Sequence, residues 1–338
     1  MLVKTTVGDV VNALNRITGG RVITDVGHLA AGKNPFVVVK SSNIPGKEIM
    51  ETPGLVFGDP VKPVRRLAVA MTLTESAIEL AGGTGVDAIV VHHPVADAAS
   101  SGGVPLKSYL SLYNLAVFEL HEAFHGLHPG IPYIHGHLPF RVEVAYGGVP
   151  GNVVFFGKVL PEINTVEDIM HRLENFMGCA QEQELLIKEQ EIRDCWDIKE
   201  AITVNGPLLL NGETKNPVRT VIHITPHGGL TPAQLERAAR ECPEADTVIC
   251  SISRVRGDSP LVDKAKELGL NFVVGNTHAL EILENGMPLA YAIQSLMPEV
   301  EVVLFRERVT SIPLYRAGTR TIRDYAQEIA DRYLLAGK

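Results

Sequence analysis

Arg65-Arg66-Leu67-Ala68-Val69-Ala70-Met71 runs into Thr72-Leu73-Thr74-Glu75-Ser76-Ala77-Ile78-Glu79-Leu80, and Asp87-Ala88-Ile89-Val90-Val91-His92-His93-Pro94 comes next. The first run is a short apolar strand. Thr72 to Glu75 offers a capping box, opening a helix that Gly82-Gly83 ends. The third run is a buried strand again. Strand, helix and strand in that order make a βαβ unit with parallel strands and a right-handed crossover.

Outward from this unit the same shape returns. Arg219-Thr220-Val221-Ile222-His223-Ile224 is a strand, and Thr231-Pro232-Ala233-Gln234 caps a helix with proline at its first position. Asp246-Thr247-Val248-Ile249-Cys250 is the next strand. Ser259-Pro260 starts a further helix, Gly269 ends it, and Asn271-Phe272-Val273-Val274 is a third strand. The two units match in pattern, as a weak internal duplication would. The fold expected is α/β, with two lobes and mixed sheets built from duplicated βαβ-type units.

The boundaries come from these units. Residues 1–50 hold one helical pattern, Val7–Ile17, and form an N-terminal extension packed on the first lobe. The first lobe takes 51–150. An intervening α/β segment takes 151–215, with a strand at Val153–Val159, a helix at Thr165–Phe176 and mixed charged and strand-like stretches over Glu184–Asn211. The second lobe, 216–338, closes the site and ends in an amphipathic helix at Thr321–Leu335.

Composition narrows the classes. Apolar residues at 45% and charged residues at 21% describe a globular chain. A net charge of −8 without a lysine or arginine cluster leaves no footprint for nucleic acid or an anionic membrane. Cys179, Cys195, Cys242 and Cys250 are widely spaced and read as buried free thiols in a reducing compartment. The N-terminal stretch lacks a signal-peptide apolar run and no segment reaches spanning length, so a cytoplasmic protein is expected.

Histidine is the uneven component. Of 12 histidines, five lie between His121 and His137, and His92 and His93 are adjacent. The pair sits where a buried strand ends, the edge at which open α/β sheets gather ligands. Two imidazoles there can aim at two neighbouring metals or serve local hydrogen bonding. His121-Glu122-Ala123-Phe124-His125 comes after another apolar strand, Leu115–Leu120. On a helical turn His121 and His125 share a face at the spacing used for one metal. A zincin helix is excluded, because Gly126, Pro129, Gly130 and Pro132 break the chain beyond His125. His128, His135 and His137 then fall in a loop as solvent-facing or gating residues. His278 and Glu281 open a helix at a third strand end. Glu281 is either a first-turn acid facing the helix dipole or a carboxylate bridging two cations. Pro226-His227-Gly228-Gly229 would let backbone approach a ligand closely.

Gly54-Leu55-Val56-Phe57-Gly58, then Asp87 and His92-His93-Pro94, resemble the "GL-x-x-G … D-x-x-x-x-HHP" block of the Nif-three-like family. Those proteins are also called dinuclear-metal-centre hexameric proteins or GTP cyclohydrolase 1 type 2 homologues. The likeness runs from about Gly54 to Phe305, and Gly269 through Glu281 and Gly286 resembles the family's last block. It implies a Nif-three-like fold and a ring-shaped homo-hexamer. It also implies a metal set of His92, His93, His121, His125, His278 and Glu281. Two departures stand out. His125 occupies the place of the family's aspartate, and the family's last histidine falls on Thr277, one residue before His278.

One or two divalent ions per chain are therefore expected. More imidazole and less carboxylate favours Zn or Fe over Mg or Mn, with Mn, Co or Ni as further candidates. The function expected is metal-dependent hydrolysis of a small substrate through metal-bound water, nucleotides being one candidate class, with Glu122 or His128 moving the proton. The alternative is a metal-binding regulatory or cofactor-assembly protein without turnover.

Overall fold

The computed structural model describes residues 5–24, 34–41, 48–95, 106–121, 123–149, 152–226 and 229–335. The strands are β1 (Val38–Ser41), β2 (Glu48–Glu51), β3 (Gly54–Phe57), β4 (Arg66–Ala70), β5 (Ala88–Val91), β6 (Ala116–Glu119), β7 (His137–Glu143) and β8 (Val154–Val159). They continue as β9 (Lys199–Glu200), β10 (Leu208–Asn211), β11 (Thr220–Ile224), β12 (Thr247–Ile252), β13 (Asn271–Thr277), β14 (Glu301–Leu304) and β15 (Thr310–Ser311). The helices are α1 (Val7–Ile17), α2 (Glu75–Thr84), α3 (Leu106–Leu112), α4 (Gly130–Ile134), α5 (Val166–Phe176) and α6 (Cys179–Ile192). After them come α7 (Ala201–Val204), α8 (Pro232–Glu241), α9 (Pro260–Glu267), α10 (His278–Glu281), α11 (Met287–Leu296) and α12 (Arg320–Ile329).

Two mixed sheets carry the molecule. One runs β14-β4-β5-β6-β3 and the other β10-β13-β12-β11-β8-β7. In the first, β14, β4, β5 and β6 are parallel and β3 is antiparallel at the edge. In the second, β11, β12 and β13 are parallel, with β8 and β10 antiparallel on their flanks. All four residues of β5 and all five of β11 are buried, as strands covered on both faces must be. Leu67, Phe118 and Ile293 share one core, and Phe156, Ile222 and Phe272 another. Each fully buried side chain of this size contributes about 2–3 kcal/mol.

Some elements differ from what the sequence suggests. Helix α2 is capped by Thr74, whose hydroxyl accepts from Ala77 N, so Thr72 is not the cap. Gly82-Gly83 does not end α2; it runs to Thr84 and stops at Gly85, φ 69°. A Cβ on Gly82 would run into the Tyr113 ring, so that glycine serves close packing inside the helix. The capping box at Thr231 and Gln234 forms as the spacing requires.

The chain also crosses between lobes. β14 pairs with β4, and Leu289, Ile293 and Val300 join the core of the first sheet together with Val7, Val10 and Leu14 of α1. Conversely β7 belongs to the second sheet. The segment from β13 through α10 to α11 therefore passes from the second sheet to the core of the first. Between α10 and α11 lies a π-helical turn, Ile282–Gly286, a form of helix common at functional sites.

Candidate metal centre

The register of the first sheet builds one half of the site. β5 and β6 are aligned with Val91 opposite Glu119, so both strands end at one level and their histidines leave side by side. His92 then reaches across to Leu120, with its Nδ1 3.0 Å from the Leu120 carbonyl oxygen. That carbonyl can only accept, so the proton sits on Nδ1 and Nε2 is the acceptor. His92 is 2% exposed, and its Nε2 has no hydrogen-bond partner. Glu119 clamps the neighbouring backbone, accepting from Thr52 N at 2.9 Å and Val95 N at 2.8 Å.

The remaining donors gather around His92 and Glu281. His121 and His125 lie in turns, not on a helix, yet their ring centroids are 4.7 Å apart and 5.2 and 5.3 Å from that of His92. Glu281 Oε1 is 3.5 Å from His92 Nε2, while its Oε2 is 3.2 Å from His93 Nε2 and 2.9 Å from His278 Nδ1. Two groups have ligand atoms within 4.8 Å of one another: His92, His121 and His125, and His92, His93 and Glu281. His92 is common to both. The structure thus brings together all six residues expected as ligands. His278 joins through Glu281 despite its one-residue offset.

Electrostatics matches this use. Burial, followed by the neighbouring histidines, pushes His92 well below the usual histidine range against the pull of Glu281. Its ring is neutral near pH 7, as a ligand must be. Burial alone would raise the Glu281 carboxyl, but hydrogen bonds from His278 and His93 and the nearby imidazoles hold it well below the carboxylate range.

Around these donors stand residues the sequence did not single out. Glu51 accepts from His121 Nδ1 at 2.9 Å and is 1% exposed. Thr72, freed from capping, places its hydroxyl 2.8 Å from His93 Nδ1. Asn285 donates to Glu281 Oε1 at 3.1 Å. Such contacts fix ring orientation and tautomer. Glu51 has no local signal, whereas Asn285 lies four residues after Glu281, on the same turn.

Two expectations change. His135 and His137 are fully buried, not loop residues facing solvent. His137 begins β7 and pairs through Nε2 with His223 Nδ1 at 2.9 Å, and His223 Nε2 meets Ser251 Oγ at 2.7 Å. His135 Nε2 accepts from Asn276 N, and its Nδ1 donates to the Ile131 carbonyl. Those bonds commit both ring nitrogens of His135. His128 lines the pocket, accepting from Gly130 N at 3.0 Å, and burial lowers its pKa. Glu122, His227 and Gly228 lie outside the described residues.

Comparison with known proteins agrees with this architecture. A family model, Duf34/NIF3 (NGG1p interacting factor 3), matches residues 38–99, the stretch that carries Gly54 to Gly58 and the His92-His93-Pro94 turn. No curated protein matches the chain. Reduced HcgD from Methanocaldococcus jannaschii is similar with a TM-score of 0.55 and 16% identity, over 90% of this chain and 99% of that one. A Bacillus cereus protein related to NIF3 gives 0.54 and 12%, over 88% and 96%. TTHA1606 from Thermus thermophilus gives 0.53 and 14%, over 90% and 98%. At such identities the likeness establishes the fold. What fold and site define is a two-lobed α/β protein with a histidine-rich candidate metal centre. The family match over the histidine turn and the shared fold together support a NIF3-like assignment.

Proposed function

We propose that the chain is a metal-dependent hydrolase of a small substrate, holding one or two divalent cations. The observation that carries this is His92 Nε2, a buried acceptor without a hydrogen-bond partner at the junction of two ligand groups. Leaving such an atom unmatched costs about 1–3 kcal/mol, which a bound cation offsets. His92, His121 and His125 would hold one ion, and His92, His93 and Glu281, with His278 beside the carboxylate, would hold a second. The imidazole-rich set favours Zn or Fe. A cation bound there supplies Lewis acidity that activates water near neutral pH.

The chain's own residues do the rest. Glu51 and Thr72 orient His121 and His93, and Asn285 steadies the Glu281 carboxylate. His128 in its present tautomer donates from Nε2, because Nδ1 is engaged by Gly130. It can orient a substrate oxygen, but to carry a proton it must first release Gly130. That commitment favours the second reading, a metal-holding regulatory or cofactor-assembly protein without turnover.

Metal analysis of purified protein tests the site. At least about one equivalent per chain is expected, falling below about half in a His92→Ala/His93→Ala variant. Uptake unchanged in that variant overturns the site. Hydrolysis of small esters, amides or nucleotides that is lost in the same variant supports the enzyme, and turnover that persists there excludes this centre as its source.

A homo-hexamer belongs to the same reading. A partner copy would cover α12, which has no buried side chain and displays Ile322, Tyr325 and, just beyond it, Tyr333. A light-scattering mass near 36.6 kDa would refute it. Among the described residues no helix is long and apolar enough to cross a membrane.

A further inference from the structure

The pocket that holds the histidines has a second, apolar lining made by Phe124, Ile131, Val153, Phe155 and Ile252. Among the described residues lining it, none is lysine or arginine. Of the undescribed stretches, 96–105, 122, 150–151 and 227–228 contain neither in their sequence, while 25–33 and 42–47 contain Lys33 and Lys47. Polyphosphates are normally held by cationic side chains or a glycine-rich loop at a helix N-terminus as well as by metal. Among the described lining residues only the metal centre would meet the three or four negative charges of a polyphosphate.

Ile252 is the marked member of that lining. It ends β12 with φ 66°, a left-handed conformation in which a β-branched residue is an outlier. The register of β12 against β13 shifts between Cys250 and Ile252, and the side chain is 3% exposed. Glycine or asparagine would take this backbone with less strain, so the cost of isoleucine calls for a compensating use.

We propose that the site takes a compact ligand with a metal-chelating oxygen head and an apolar body, of the aryl or branched-alkyl carboxylate or amide class, and that Ile252 contacts that body. A nucleoside polyphosphate is the wrong shape of charge for it. This rests on the reading of the site as a metal centre.

Binding to the zinc-loaded chain tests it, with benzohydroxamate, acetohydroxamate and GTP as probes and calorimetry as the readout. Benzohydroxamate should bind at least about tenfold tighter than acetohydroxamate, the effect of enclosing part of a phenyl ring. GTP should bind more weakly than benzohydroxamate. Ile252→Gly and Ile252→Asn both suit the backbone, and each should shrink the phenyl advantage to about threefold or less while acetohydroxamate changes by less than about twofold. Equal affinity for the two hydroxamates, tighter GTP, or a phenyl advantage untouched by both substitutions overturns the proposal while the metal reading stands. A chain that takes up no zinc overturns both.

Discussion

Glu51 and His121 lie 70 positions apart in the chain and meet at 2.9 Å in the interior, the carboxylate accepting the Nδ1 proton. The pair has the form of the carboxylate–histidine contacts that steer metal ligands. Glu51→Gln keeps shape and removes charge, so zinc affinity measured by competition with a chelator should fall about 10- to 100-fold. Secondary structure by circular dichroism should be unchanged. Affinity within about twofold of the parent would mean that Glu51 only fills the core.

Thr72 and Thr74 separate ligand support from helix capping. Thr74→Ala removes the hydroxyl that accepts from Ala77 N and should cost about 1 kcal/mol of unfolding free energy with zinc uptake unaffected. Thr72→Val removes the hydroxyl beside His93 Nδ1 and should weaken zinc uptake while costing less stability than the cap. The reverse pattern in urea denaturation and zinc titration would restore Thr72 as the cap.

Gly82 and Gly83 should respond to alanine with opposite signs. Both sit within α2, where alanine is favoured over glycine by about 0.5–1 kcal/mol. Around Gly83 nothing lies within 4 Å of the added Cβ, so Gly83→Ala should stabilise by that amount. At Gly82 the Tyr113 ring occupies the space, and Gly82→Ala should destabilise by about 1–3 kcal/mol. Denaturant midpoints that move together would remove the packing role of Tyr113.

What could be read from the residues was whatever is local. The strands around Leu67, Val90 and Ile222 announce themselves as apolar runs, and Thr231 with Gln234 is a self-contained cap. His92 and His93 were legible because a strand end is a place as well as a pattern. Glu51 was not, since its partner is fixed only once β2 and β6 are folded. Helix α6 escaped for a different reason. Its inward positions are Glu182, Leu186 and Gln190, with Glu182 Oε1 paired to Arg306 and Gln190 donating to backbone carbonyls, so the stretch carries no apolar period. The return of β14 to β4 is likewise a pairing that no short window contains.

The buried His135, His137 and His223 make a prediction about acid. Burial, and for the last two their histidine neighbours, holds all three below the ordinary histidine value, His135 at about 4. The folded chain therefore binds fewer protons here than the unfolded chain once pH drops below about 6.5. Their contribution is fully present above that pH and is lost as pH falls toward 4. Each such group adds at most about 1.4 kcal/mol per pH unit to the slope. Glu284 opposes them, because burial and Glu281 raise its carboxyl, so its contribution is present at low pH and fades as pH rises. Urea unfolding of metal-free protein at pH 7, 6 and 5 should show stability falling with acid, the three histidines outnumbering Glu284 and Asp246, whose carboxyls burial raises. In His135→Gln the slope should be shallower by up to about 1.4 kcal/mol per pH unit, whatever happens to stability at pH 7. An unchanged slope would mean that His135 is protonated in the folded chain.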